Sequence, residues 1–193
     1  MKINFSEIHT KSNYLSLFRL FLAVPIYYFL GLIPYGEKFR YIVFALWFLA
    51  FLTDIGDGYL ARKYNEVTEM GKIIDPLADK VVVAVIIIKL YMEGMIPDVY
   101  FFIIILRDVI IFLGGIYVSR RVGKVLPSNK LGKMAVFSIM LFLIAVLFNF
   151  KVTVTWLYNF FYYLSIGMAF LSVIGYAIRG YDAIKWDRRN ITQ

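Results

Sequence analysis

The sequence contains no cysteine and a single histidine, His9. Disulfides, thiolate metal sites and CxxC redox centres are therefore excluded. Acidic side chains are also scarce: 13 Asp and Glu stand against 21 Lys and Arg, a formal net charge of +8. Only 18% of the 193 residues are charged, whereas a soluble domain carries about 25%. A chain this poor in charge cannot cover a soluble globule with polar surface. What is present instead is apolar: 61% of residues are hydrophobic and 19% aromatic, with a mean hydropathy of +0.73. That content also excludes disorder. A basic excess suits either nucleic acid or the cytoplasmic face of a membrane, where anionic lipid and the positive-inside rule both favour Lys and Arg. The apolar content decides for the membrane and against nucleic acid.

Six apolar stretches are long enough to span a bilayer, at about 20 residues each. They are Leu15–Ile33, Tyr41–Leu60, Ile73–Met92, Val99–Val118, Met134–Phe150 and Thr153–Ile178. Helices are expected, because a helix satisfies its backbone hydrogen bonds within one segment. The alternating ten-residue segments of a β-barrel are absent. Six spans with short loops consume nearly the whole chain, so the expectation is an all-α integral membrane protein with one domain over residues 1–193. Pro34-Tyr35-Gly36 and Met95-Ile96-Pro97 carry turn and breaker signals. Residues 1–13 read as an N-terminal arm, either with a short interfacial helix over 3–12 that turns Ile3, Phe5 and Ile8 towards lipid or as a frayed, solvated segment, with His9 solvated. Residues 180–193 read as a basic cytoplasmic tail. If both termini share one side, that side, with the Ser119–Lys133 loop, holds 14 Lys and Arg against three (Lys38, Arg40 and Lys151) on the other. Lys89, near the end of the third stretch, can snorkel to that second surface. The bias places both termini in the cytoplasm.

The informative residues are the charges inside or bordering these stretches: Arg19, Asp54, Asp57, Asp75, Asp79, Lys80, Arg107 and Asp108. A charge within the bilayer is costly and normally faces a cavity, a partner or a metal. Any one of them could be a structural ion pair or a boundary residue. Four aspartates within 26 residues are harder to explain so. Asp54 and Asp57 are spaced i, i+3, and Asp75 and Asp79 i, i+4, so each pair lies on one helical face. Converging carboxylates repel unless divalent cations or raised pKa values neutralise them. Oxygen ligands without His or Cys favour Mg²⁺, Mn²⁺ or Ca²⁺ over zinc. Two ions with bridging carboxylates would suit displacement at phosphorus. Between the pairs, Gly58, Ala61 and Gly71 leave room for a bulky ligand, and Arg62 offers a fork for phosphate oxygens. Taken singly, the small residues also suit helix packing, and Arg62 with Lys63 suits positive-inside topology.

The run Asp54-Ile-Gly-Asp57-Gly58-Tyr-Leu-Ala61-Arg62, then Gly71, Asp75 and Asp79, resembles the signature of the CDP-alcohol phosphotransferases, D-x2-D-G-x2-A-R-x8-G-x3-D-x3-D, at every fixed position. Asn13-Tyr-Leu-Ser16-Leu-Phe-Arg19 is similar to the N-x-L-[ST]-x-x-R that opens the first span in many members. Asp75-Pro-Leu-Ala-Asp79-Lys80 looks like the D-P-x-A-D-K of the phosphatidylglycerophosphate synthase and cardiolipin synthase branches, and Gly175-Tyr-Ala-Ile-Arg179-Gly180 like the former.

The resemblance implies six transmembrane helices, a homodimer, and a polar cavity open to the cytoplasm of a bacterial inner membrane. There a phosphatidyl group passes from CDP-diacylglycerol to an alcohol, with release of CMP, as a step of phospholipid biosynthesis. It implies two divalent ions, Mg²⁺ or Mn²⁺, held by Asp54, Asp57 and Asp75, with Asp79 as general base that also touches a metal. Asp54, Asp57, Gly58, Ala61, Arg62, Gly71 and Asp75 would form the CDP site. For an anionic acceptor the candidates are Arg107, Lys130, Lys133 and Arg19. Arg107 lies in an apolar run and demands a partner, and neighbouring Asp108 is expected to point elsewhere on the helix. For Arg120, Arg121 and Lys124 topology is the favoured explanation.

Glycerol 3-phosphate, as in phosphatidylglycerophosphate synthases, is the first acceptor reading. In those enzymes the comparable arginine is usually followed by glutamate and, eight residues on, by a second arginine; here Asp108 follows and position 115 is glycine. Arg107-Asp108-Val109 looks more like cardiolipin synthases, which use phosphatidylglycerol. Gly132-Lys133-Met134-Ala135-Val136 also departs from the G-K-x-K-T of the first group. Other alcohols rank lower. An ion transporter is the reading outside enzymes, but no inverted repeat is evident and the carboxylates gather at one face rather than crossing the membrane.

Overall fold

The structure, a computed structural model, describes residues 11–64, 71–122 and 130–191, with side chains described over 14–54, at 56, and over 80–122 and 130–186. Every regular element among these residues is helical. The arm expected over residues 1–13 lies outside them but for the start of the first helix. Two compact units divide the chain, residues 1–95 and 96–193.

In the first unit, α1 (Lys11–Gly31) packs against both α2 (Lys38–Tyr64) and α3 (Gly71–Met92). Its buried positions are Ser16, Arg19, Leu22, Ala23, Ile26 and Leu30, the three-and-four spacing of one helical stripe. Phe21, Val24 and Tyr28 stand exposed on other faces, as suits side chains that meet lipid. Pro25 lies inside α1; such breaks are tolerated in spanning helices because neighbouring groups re-satisfy the freed carbonyl. On α2 the buried stripe is Val43, Trp47, Ala50 and Thr53, and on α3 Val82, Ile86, Ile87 and Leu90. A single 3-10 turn, Ile33–Tyr35, joins α1 to α2 at the expected Pro34 breaker.

The far end of α3 is fastened to α1. Lys89 Nζ lies 2.6 Å from Glu93 Oε1 and 4.9 Å from the Tyr27 ring centre. Gly31 makes room for it, since a Cβ there would sit 3.0 Å from Lys89 Cε. The helix stops at Gly94, whose φ is +65°. The Met95 amide donates to the Leu90 carbonyl at 2.9 Å and the Gly94 amide to the Tyr91 carbonyl at 2.9 Å, the paired bonds of a Schellman end.

In the second unit, α7 (Thr155–Ile191) packs against α4 (Asp98–Val122) and α5 (Lys130–Leu147), with the short α6 (Phe150–Thr153) between. Small residues line the buried side of α7: Ser165, Ala169, Ser172 and Gly180. They let helices approach closely in a setting where lipid competes with any apolar contact. Tyr100, Phe142 and Tyr158 fill the space at the other end, with Tyr100 and Phe142 ring centres 4.3 Å apart.

Several boundaries differ from the hydropathy expectation, among them two helix C-termini of the second unit. The fifth helix ends at Leu147, because Asn149 adopts the left-handed conformation (φ 57°) that asparagine tolerates. The last helix continues past Arg179 to Ile191, so the described part of the expected basic tail is a helical extension. At about 1.5 Å per residue, the 37 residues of α7 exceed what a bilayer core requires. Among the described residues, four helices are long and apolar enough to cross a membrane: Tyr14–Gly31, Asp98–Val122, Lys130–Leu147 and Thr155–Trp186. Helices α2 and α3, at 27 and 22 residues, have the length for a span and carry the acidic motif.

Candidate active site

The motif falls on two helices of the first unit. Asp54, Asp57, Gly58, Ala61 and Arg62 lie on the C-terminal half of α2; Gly71, Asp75 and Asp79 lie on the first turns of α3. The helical backbone therefore keeps Asp54 and Asp57 one turn apart, and likewise Asp75 and Asp79. Of these side chains only that of Asp54 is among those described. Among the described side chains, no three potential metal ligands come together; the other three aspartates lie outside them. The donor chemistry nonetheless fits a hard divalent cation, since the motif supplies carboxylate oxygens alone.

Asp54 is met by α1. Its Oδ1 is 3.0 Å from Arg19 Nη1; the arginine is only 2% exposed and the aspartate 45%. Arg19 belongs to the buried stripe of α1, so its guanidinium reaches Asp54 from within the helix packing. Leu15, one turn earlier, faces Gly56: a Cβ on that glycine would lie 3.6 Å from Leu15 Cδ1. The N-terminal half of α1 thus backs the Asp54–Asp57 segment. This pairing was not legible in the sequence, where Arg19 read as an acceptor group.

The remaining acceptor candidates lie in the second unit. Arg107 is buried on α4, 9% exposed. Its Nε donates to Ser172 Oγ on α7 at 3.0 Å, and its Nη1 pairs with Asp108 Oδ1. The expectation that Asp108 points away from Arg107 is corrected here: an arginine is long enough to fold back along the helix to the adjacent carboxylate. Ser172 was not singled out by sequence; its place in the small-residue pattern of α7 was the available signal. Lys130 and Lys133 both stand exposed in the first turn of α5, where the helix dipole favours an anion rather than two cations. Arg120 and Arg121 occupy the last turn of α4, where cations suit the dipole, and Arg121 lies 5.7 Å from the Tyr117 ring centre.

Long apolar helices with exposed aromatic and aliphatic faces define an integral membrane protein. The CDP-alcohol phosphatidyltransferase profile matches residues 9–173, and the chain belongs to that family. It is similar to the CDP-diacylglycerol--glycerol-3-phosphate 3-phosphatidyltransferase of Mycoplasma pneumoniae, 32% identical over 138 residues, covering 63% of this chain and 60% of that protein. The protein of the same name from Aquifex aeolicus is 36% identical over 137 residues, covering 69% and 73%. Cardiolipin synthase (CMP-forming) of Rattus norvegicus is 37% identical over 113 residues, which is 58% of this chain and 36% of that protein. The match thus spans less than two thirds of the Mycoplasma protein and about a third of the rat one.

Proposed function

We propose that this protein transfers a phosphatidyl group from CDP-diacylglycerol to glycerol 3-phosphate with release of CMP, a step of phospholipid biosynthesis. The observation that carries the reading is the complete aspartate motif on α2 and α3, within a chain that matches the family over residues 9–173. The names of the Mycoplasma and Aquifex relatives support glycerol 3-phosphate as acceptor.

In this reading the six long helices all span a bacterial inner membrane, with both termini and a polar cavity towards the cytoplasm, and the protein acts as a homodimer among membrane lipids. Asp54, Asp57 and Asp75 would hold two divalent ions, Mg²⁺ or Mn²⁺, and Asp79 would also touch a metal. When bound, such ions neutralise the diphosphate and the departing CMP. Gly58, Ala61 and Gly71 leave room for the cytidine nucleotide, and Arg62 binds its diphosphate. Asp79 accepts the proton of the acceptor hydroxyl as that oxygen bonds to the phosphatidyl phosphorus. The bond from that phosphorus to the bridging oxygen breaks, and CMP leaves with the oxygen. A carboxylate beside cations keeps a low pKa, so Asp79 works best some distance from the ions. Lys130 and Lys133, with Arg107, supply the positive charge that a phosphate-bearing acceptor needs.

A second reading is cardiolipin synthesis with phosphatidylglycerol as acceptor. Arg107-Asp108-Val109, the glycine at position 115 and the rat relative favour it. The test is purified protein in detergent with CDP-diacylglycerol, Mn²⁺ or Mg²⁺ and a panel of alcohols, with products identified by mass spectrometry. Phosphatidylglycerophosphate is expected; cardiolipin selects the second reading. Ion flux in vesicles without CMP release under any acceptor defeats both.

A further inference from the structure

We infer that Arg19 is a positioning residue of the metal site, holding the Asp54 carboxylate from behind through α1 rather than binding the acceptor. The inference rests on the proposed role of Asp54 as a metal ligand.

Burial decides between the two roles. A guanidinium 2% exposed cannot receive a soluble phosphate or a lipid headgroup unless the helices part. Nor is it idle there: a buried cation is costly unless paired, and Asp54 Oδ1 lies 3.0 Å from its Nη1. Asp54, in contrast, is 45% exposed, so its carboxylate retains an open side. The arginine is fixed by its position in the stripe that includes Leu22, Ala23 and Ile26. Its rigid planar guanidinium directs the Nη1 contact more narrowly than a freely rotating ammonium could. A ligating carboxylate held by such an outer partner is pre-oriented, and loss of that kind of partner weakens metal binding or activity about 10–100-fold.

One opposing effect must be weighed. Removing a cation from beside the Asp54 carboxylate favours a divalent ion by simple Coulomb attraction. Asp54 is half-exposed, so solvent screens that gain, whereas loss of orientation acts directly on the ligand. The orientation effect should win. Arg19→Lys separates the two, since it keeps the charge and loses the rigid guanidinium.

The full chain in detergent is prepared as wild type, Arg19→Gln and Arg19→Lys. Mn²⁺ binding is followed by loss of the free-ion electron paramagnetic resonance signal. The Mn²⁺ and glycerol 3-phosphate dependences of CMP release are measured in parallel. Arg19→Gln should weaken Mn²⁺ binding about tenfold or more, with Arg19→Lys between it and wild type. The KM for glycerol 3-phosphate at saturating Mn²⁺ should stay within about twofold, because uniform acceptor binding is untouched. A raised acceptor KM with unchanged Mn²⁺ binding overturns the inference, as does tighter or unchanged Mn²⁺ binding in folded Arg19→Gln. Failure of both variants to fold assigns Arg19 to the fold alone and overturns it too. If wild type releases no CMP with any acceptor yet Mn²⁺ binding weakens in the variants, the activity reading fails and the pairing role stands.

Discussion

Arg107 on α4 donates its Nε hydrogen to Ser172 Oγ on α7, 3.0 Å away. Ser172 in turn donates to the Ala169 carbonyl at 2.7 Å, which leaves its lone pairs directed at the arginine. The serine therefore fixes how the guanidinium lies, while Asp108 holds its other end. Ser172→Ala should leave a buried charged donor unsatisfied, at about 1–3 kcal/mol. The expected result is a lower thermal midpoint in detergent and a several-fold higher KM for the anionic acceptor. Arg107→Gln should raise that KM about tenfold or more, as loss of a charge-assisted contact does, with the KM for CDP-diacylglycerol nearly unchanged. Equal increases in both constants would separate Arg107 from the acceptor.

Gly94 closes α3 in a left-handed conformation, φ +65°, and no neighbouring atom would meet an added Cβ there. Any cost of Gly94→Ala is thus conformational, about 1–2 kcal/mol, without a steric component. Gly94→Asn should recover part of it, because asparagine visits this region more readily. Thermal unfolding of the three proteins in one detergent checks the order glycine, asparagine, alanine. If alanine matches glycine, the Schellman end contributes little to the first unit.

Helix ends show what hydropathy reports and what it leaves out. Long apolar runs marked all six long helices, because transfer to lipid depends on composition over about 20 residues. The end of α3 at Met92 coincides with the end of its apolar run, but other helix ends depend on single backbone conformations, so Asn149 stops α5 at Leu147 where no hydropathy window detects it. The continuation of α7 past Arg179 escaped for a related reason: a helix outside lipid need not be apolar. The aspartate motif was legible because its spacing is fixed along the chain. The Arg19–Asp54 and Arg107–Ser172 pairs join residues on different helices, and their partners depend on which faces pack together.

Gly180 sits where α7 meets α4. A Cβ there would lie 3.1 Å from Val118 Cγ2, and valine is stiff about χ1, so it yields poorly. Gly180→Ala should destabilise by about 1 kcal/mol after its gain in helix propensity is set against the clash. Val118→Ala opens a small cavity by itself, but the double variant should be more stable than the sum of the two single changes requires. A double-mutant cycle on thermal midpoints measures this coupling. Strict additivity would show that the two residues do not press on each other.

The two ends of the aspartate motif should fail differently when amidated. Asp54→Asn removes a proposed metal ligand and also the ionic partner of Arg19, whose guanidinium is 2% exposed. Breaking a buried pair costs about 3–5 kcal/mol, and less here because Asp54 is half-exposed. That variant should lose turnover, Mn²⁺ binding and some thermal stability together. Asp79→Asn should retain CDP-diacylglycerol binding and the fold but transfer very slowly, since an amide cannot take the acceptor proton. Chelation of wild type should abolish turnover and leave it recoverable on adding Mn²⁺ or Mg²⁺, which separates the metal from irreversible damage. The decisive comparison is CMP release beside CDP-diacylglycerol binding in each variant. Near-normal turnover of Asp79→Asn would remove the base role from Asp79 and require another acceptor for the proton.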